Sequence, residues 1–200
     1  MSSETSETRT KILEAALSLL EAHRGVAVRM GDIAKVAGIS RQAVYLHFKT
    51  RAALLVAATH HLDALKGSEE RLVASRAATS GVERLEAFIA AWAGYIPEIY
   101  PVARALLALR DTDEAAASAW DRRMADMREG CAAAVQALAR DGQLAPDQTQ
   151  DQATDLLWML LSVRNWELLT IARGWPQARY LACLQTTARQ LFVASVTRGS

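Results

Sequence analysis

Cysteine is almost missing from this chain of 200 residues, which holds only Cys131 and Cys183. Far apart and without partners at metal-ligand spacing, they exclude a disulfide framework or a zinc module and are expected as buried thiols. Proline, with four residues, and glycine, with ten, are equally scarce. That leaves too few turn signals for a set of short strands, and no window alternates apolar with polar; Ala and Leu dominate, so an all-α fold is predicted. Neither charge sign prevails, since 23 Lys and Arg face 22 Asp and Glu for a net charge of +1. Any binding of a polyanion must therefore come from a local surplus. No apolar run approaches the ~20 residues that span a bilayer, and the polar start MSSETSETRTK has no apolar core of a signal peptide, so a soluble, cytoplasmic chain without a membrane partner is expected. Nucleophile–base motifs, phosphate-binding glycine loops and metal signatures are also missing, which argues against an enzyme, a cofactor or a metal. His60 and His61 are neighbours, about 100° apart on a helix, and make a poor metal pair.

Against this background one segment stands out, RMGDIAKVAGISRQAVYLHFKTR from Arg29 to Arg51. Met30, Ile33, Ala34 and Ala37 recur on one face of a first short helix. Gly38 follows, where a left-handed turn has no Cβ to oppose it, and Ile39 is placed to plug the turn. Ser40 is a preferred N-cap for a second helix to about His47, with Val44 and Phe48 inward and Arg41, Gln42 and Tyr45 outward. Thr50 repeats the device for a longer helix that runs through Leu54, Leu55 and Ala58 toward Lys66. Helix, glycine turn and helix make a helix-turn-helix, whose second helix offers its first residues to base edges in the major groove. The side chains suit that task, because Arg pairs with guanine and Gln with adenine, while Tyr45, His47, Lys49 and Arg51 are donors within reach of phosphates. Between Arg24 and Arg51 six cations (24, 29, 35, 41, 49 and 51) face one acid, Asp32, so the missing basic excess is found here.

The wording of the segment resembles the TetR-type transcriptional regulators. Their pattern is matched by Ile12-Leu13-Glu14-Ala15-Ala16, Asp32-Ile33-Ala34, Ala37-Gly38-Ile39-Ser40, Tyr45-Leu46-His47-Phe48 and Lys49-Thr50-Arg51, over about residues 9 to 55. The resemblance implies a ligand-responsive dimer that binds double-stranded operator DNA, usually as a repressor. It places Arg41, Gln42 and Ala43 toward bases, and Tyr45, His47, Lys49 and Arg51 near the backbone, with Ser40 at the cap. This chain departs at the start of the first of the two helices, where Val28-Arg29 stands in place of the usual hydroxyl cap. Arg29 is thereby expected to meet a phosphate directly.

The rest of the chain reads as a helical body. After a start that is expected to be disordered through Thr5, a helix from near Glu7 to Arg24 presents Ile12, Leu13, Ala16, Leu19 and Leu20 as a stripe behind the hairpin. Further helices are predicted from Val82 to Ile96, ended by Pro97; from Glu98 to Arg110; from Asp113 to Ala139; from Pro146-Asp147 to Arg173; and from Gln177 to Val196. That makes about nine helices in two domains, residues 1–50 for DNA and 51–200 for ligand and dimer. The helix that begins at Thr50 leads from one to the other and is a candidate lever between them.

Large aromatic and soft residues mark the body. Phe88, Trp92 and Tyr95 share one helix face, and Tyr100, Trp120, Met124, Met127, Trp158 and Trp166 come from the helices that follow. Together they are candidates to line an apolar pocket for a small-molecule effector, with Arg104 and Asn165 as polar anchors, although packing alone accounts for any single one. Leu156, Leu157, Leu160, Leu161, Val163, Leu168 and Ile171 make one helix apolar nearly all round, and Tyr180, Leu181, Leu184, Leu191, Phe192 and Val196 give the last helix a wide apolar face. Paired with a second copy, the two would form a four-helix bundle across a two-fold axis. The expected function is a TetR-type repressor released from a palindromic operator by a small, largely apolar molecule. A helical carrier or adaptor without DNA affinity is the competing class.

Overall fold

A computed structural model describes residues 2–22 and 27–194 of the chain. The order is α1 (Ser2–Ala22), α2 (Met30–Ala37), α3 (Arg41–His47), α4 (Arg51–Leu65), α5 (Ser68–Arg71), α6 (Val73–Ala77), α7 (Gly81–Leu109), α8 (Glu114–Arg140), α9 (Gln150–Leu160), α10 (Val163–Trp166), a π-helical stretch (Glu167–Ala172) and α11 (Gln177–Phe192). The fold is all-α, as the scarcity of turn residues predicts; among the described residues a single antiparallel bridge, Leu144 to Val193, is the only β pairing. No helix among them is long and apolar enough to cross a membrane.

Several boundaries differ from the sequence reading. The polar start is helical from Ser2 rather than disordered through Thr5. Arg24, where that helix was expected to end, and Val196, the expected end of the last one, lie outside the described residues. Two short helices, α5 and α6, occupy the interval after Gly67.

The helices expected on either side of Pro97 are one, α7. Proline lacks the N–H that would bond the carbonyl four residues earlier, here that of Ala93. The Gln177 side chain supplies the replacement, its Nε2 donating to the Ala93 carbonyl at 2.7 Å, while its Oε1 accepts from Trp166 Nε1 at 2.8 Å. At Pro97 a residue from another helix takes over the bond, and α7 runs on through it and through Pro101.

The reverse holds further on, where one predicted helix to Arg173 is broken. α9 starts later than expected, at Gln150, behind a Thr149–Gln152 capping box, and stops at Leu160. Ser162 then caps α10 by accepting from the Asn165 N–H at 3.2 Å. Asn165 Nδ2 donates back to the Met159 carbonyl at 2.7 Å, and Trp92 Nε1 donates to that of Leu161, also at 2.7 Å. Carbonyls orphaned by the break are thus satisfied by side chains, as buried backbone requires.

The chain folds as two compact units that do not follow a boundary at residue 50. One comprises residues 1–67 and 98–124, the other 68–97 and 125–200. In the first, Ile12, Ala16, Ile33, Val44, Leu54 and Ala58 are fully buried and bring α1, α2, α3 and α4 around one core. In the second, Leu85, Ile89, Cys131, Val135, Leu138, Leu157, Tyr180 and Phe192 form the centre. Burial pushes the Cys131 thiol up to about 12, which makes it the inert thiol that its surroundings predict.

Candidate nucleic-acid interface

The hairpin is built from local rules. Gly38 adopts φ 70° at the end of α2, and the Ile39 N–H closes back on the Ala34 carbonyl at 3.0 Å. Ser40 caps α3 by accepting from the Ala43 N–H at 3.1 Å, and Thr50 caps α4 in the same way from Ala53, at 3.1 Å. Inward, Val44 and Phe48 are buried; the Arg9 guanidinium lies 5.0 Å from the centre of the Phe48 ring, a cation–π contact that ties α1 to the end of α3.

The outer face of α3 carries what the sequence placed there. Arg41, Gln42 and Tyr45 are exposed and Ala43 is half-buried. The Arg41 guanidinium stacks 5.6 Å from the Tyr45 ring centre, one turn away, so the two side chains present a joined, partly ordered surface. Leu46, beside them, is 72% exposed, an apolar group on a polar face that only its exposure reveals. Arg29, Lys35 and Lys49 are exposed as well, and His47 is half-buried. Arg29 is the N-cap of α2 with no side-chain cap bond, so the missing hydroxyl leaves its guanidinium outside the helix end.

Arg51 departs from expectation. Instead of standing free for a phosphate, its guanidinium grips Asp113 through both nitrogens, at 2.7 and 2.6 Å, and Nη1 also donates to the Val28 carbonyl at 3.2 Å. Asp113 is buried, and its Oδ1 also accepts the N–H groups of Ala115 and Ala116 at the start of α8. No sequence spacing announces a partner 62 positions away.

The candidate effector residues fall in both units. In the second, Phe88, Tyr95, Met127 and Trp166 are buried, whereas Trp92 and Trp158 are half-buried. Trp92 and Tyr95 meet edge to face at 6.1 Å, the Arg71 guanidinium lies 5.3 Å from the Tyr95 ring centre, and Gly130 leaves just enough room for the Phe88 ring. In the first, Tyr100, Trp120 and Met124 are half-buried, and Arg104 is exposed on the surface, which removes it as a buried anchor. Asn165 is spent on the break after α9, so its amide holds backbone rather than standing ready for a ligand. Tyr180, which the sequence reading treated only as apolar surface, is fully buried with its hydroxyl unpartnered, and burial raises that hydroxyl well above its ordinary value. Among the described residues no cluster of three or more His, Cys, Asp or Glu is placed to hold a metal.

A glycine-turned, twice-capped hairpin with a basic outer face, set in an all-α fold, has the build of a helix-turn-helix. Residues 12–58 match the family described as bacterial regulatory proteins, tetR family. Over that segment, less than half of the chain, it is similar to the TetR-type regulators. It is 43% identical over 51 residues to the HTH-type transcriptional regulator AcrR of Shigella flexneri, a stretch that is 26% of this chain and 24% of that one. The chain therefore matches about a quarter of that curated relative's length. Similarity of fold extends much further. NalD, the secondary repressor of the MexAB-OprM multidrug efflux pump in Pseudomonas aeruginosa, superposes with a TM-score of 0.68 at 23% identity, covering 98% of this chain and 100% of that one. A regulator from Saccharomonospora viridis, crystallised with choline, gives 0.71 at 21% identity over 95% and 100%. A TetR family transcription regulator from Marinobacter aquaeolei gives 0.67 at 16% over 98% and 100%.

Proposed function

We propose that this chain is a ligand-responsive, sequence-specific DNA-binding regulator, acting as a repressor that leaves a near-palindromic operator when a small, largely apolar molecule binds. One observation carries the DNA-binding part: Arg41, Gln42 and Tyr45 stand exposed on a helix held by the Ser40 cap, and Arg29, Lys35 and Lys49 are exposed around them. Arg and Gln are the side chains that read guanine and adenine edges, and the surrounding cations suit phosphates. On this reading residues 1–50 contact DNA, with Ser40 and Ala43 close to the groove, and residues 51–200 hold the effector and the dimer contacts.

The repressor and effector parts lean on relatives, since NalD is a repressor of an efflux pump and the S. viridis protein holds choline. The half-buried Trp92 and Trp158 in one unit, and Tyr100, Trp120 and Met124 in the other, are the aromatic and soft side chains with surface left for a ligand. Dimer formation is supported by large apolar side chains left in solvent from α9 onward: Met159, Leu168, Ile171 and Leu191 are 39–60% exposed. A second copy covering them would bring two α3 helices to two half-sites.

The test is binding to duplexes from the neighbouring promoter across a range of salt. A specific complex that weakens steeply with salt is expected, and Arg41→Ala should lower its affinity roughly ten- to hundredfold and relax the preference at one base pair. Absence of any specific complex would favour a carrier or adaptor. Effectors are then sought by thermal shift, because a ligand of the native state stabilises it by mass action. A compound that stabilises the protein but leaves the DNA complex intact would overturn the effector part.

A further inference from the structure

Arg51 is the first residue of α4, four positions after the last residue of α3, so whatever holds its side chain also holds the end of the helix proposed to face DNA. Through its guanidinium the start of α4 is tied to two other segments: the Val28 carbonyl, next to the N-cap of α2, and the carboxylate of Asp113, the residue that caps α8. The Asp113 carboxylate receives donors from two guanidinium nitrogens and two backbone N–H groups and is 4% exposed, against 29% for the Arg51 side chain. A cation at a helix N-terminus opposes the helix dipole, whereas an acid there is favoured, so Asp113 compensates two helix starts and one arginine at once. Further along, Asp63 of α4 pairs with Arg123 of α8, both side chains largely buried and the charges swapped between the helices. Two crossed ion pairs about 15 to 18 Å apart along the helices hold α4 and α8 parallel and in one register.

We propose, on the reading that the hairpin binds DNA, that Arg51 and Asp113 are positioning residues of the DNA-binding head: their pair sets the start of α2 and the end of α3 against α8, and Arg51 makes no phosphate contact. The guanidinium is already matched by a buried carboxylate, so it adds nothing to the charge offered to DNA. A fork that binds two carboxylate oxygens and a carbonyl also fixes direction, which a lysine ammonium does not.

The experiment starts with wild-type protein, used to select duplexes from a random-sequence library. If no sequence is enriched over bulk DNA, the DNA-binding reading itself fails, and this is known before any variant is made. On the selected duplex, Asp113→Asn keeps a capping side chain for α8 but loses the ionic grip. It is expected to lower specific affinity roughly tenfold while leaving non-specific affinity as it was. Arg51→Lys should fall between wild type and Asp113→Asn. Arg51→Met should leave the slope of log affinity against log salt unchanged, whereas Lys49→Ala flattens it by about one, as loss of a phosphate contact does. Should Arg51→Met fail to fold, the asparagine and lysine variants still decide. Specific affinity at the wild-type level in Asp113→Asn, including the case where only its thermal midpoint falls, overturns the proposal. So does a slope flattened by about one in Arg51→Met.

Discussion

The hairpin and the second unit both use local caps, but two irregularities of the second unit depend on distant partners as well. In the hairpin the glycine turn and the caps at Ser40 and Thr50 are satisfied from within a few residues, their bonds closing over three to five positions; the Val28 carbonyl, ahead of α2, reaches further, to Arg51. In the second unit the irregularities around Pro97 and Leu161 are satisfied from afar, by Gln177 on the Ala93 carbonyl and by Trp92 on the Leu161 carbonyl. Local breaks are self-sufficient and swap cheaply. Breaks held from a distance tie several elements to one side chain, so a single substitution disturbs more than one helix.

The largest expected effect follows from Gln177. Replacing it with Leu strands the Trp166 indole N–H and the Ala93 carbonyl together, and chemical denaturation should register a loss of about 2–4 kcal/mol. Pro97→Ala in the same background restores an N–H for Ala93 and is expected to recover part of that loss. A neutral Gln177→Leu would remove the contrast between the regions. Next comes Gly38→Ala, which forces a Cβ into a left-handed turn at φ 70°; about 1–2 kcal/mol should be lost, measured on the same transition. Smallest are the caps, for which Ser40→Ala and Thr50→Ala are each expected to lose about 1 kcal/mol, with hydrogen exchange faster only at the starts of α3 and α4. Exchange that quickens throughout the second unit would show the hairpin to be less self-contained than its bonding pattern indicates.

The same contrast explains what was legible in the sequence. Gly38, Ser40, Thr50 and the Arg41, Gln42, Tyr45 face could be placed because their partners lie within one turn. The Pro97 boundary was misplaced because a proline's cost depends on whether another residue takes over its bond, and Gln177 is 80 positions away. The break after Leu160 was missed for a similar reason, since a run of Leu, Ser and Val shows apolar period but not a distant indole waiting for a carbonyl. Arg51 was assigned to DNA on its charge and place in the basic segment, and charge alone does not show which acid meets it. Arg104 and Asn165 are polar residues amid aromatic ones in the sequence, but one faces water and the other mends the backbone. Nothing in the sequence marks Leu46, because exposure of an apolar residue is a property of the folded surface.

Gly81 starts α7 with its N–H given to Asp141 at 2.7 Å, and an added methyl there would lie 2.6 Å from the backbone of Leu138. Only hydrogen fits, since backbone cannot swing aside as a side chain tip does. Among relatives that share this crossing, position 81 is expected to tolerate no exchange, as strictly as any residue that reads a base. The close approach of backbone to backbone thus constrains position 81 independently of any contact with DNA.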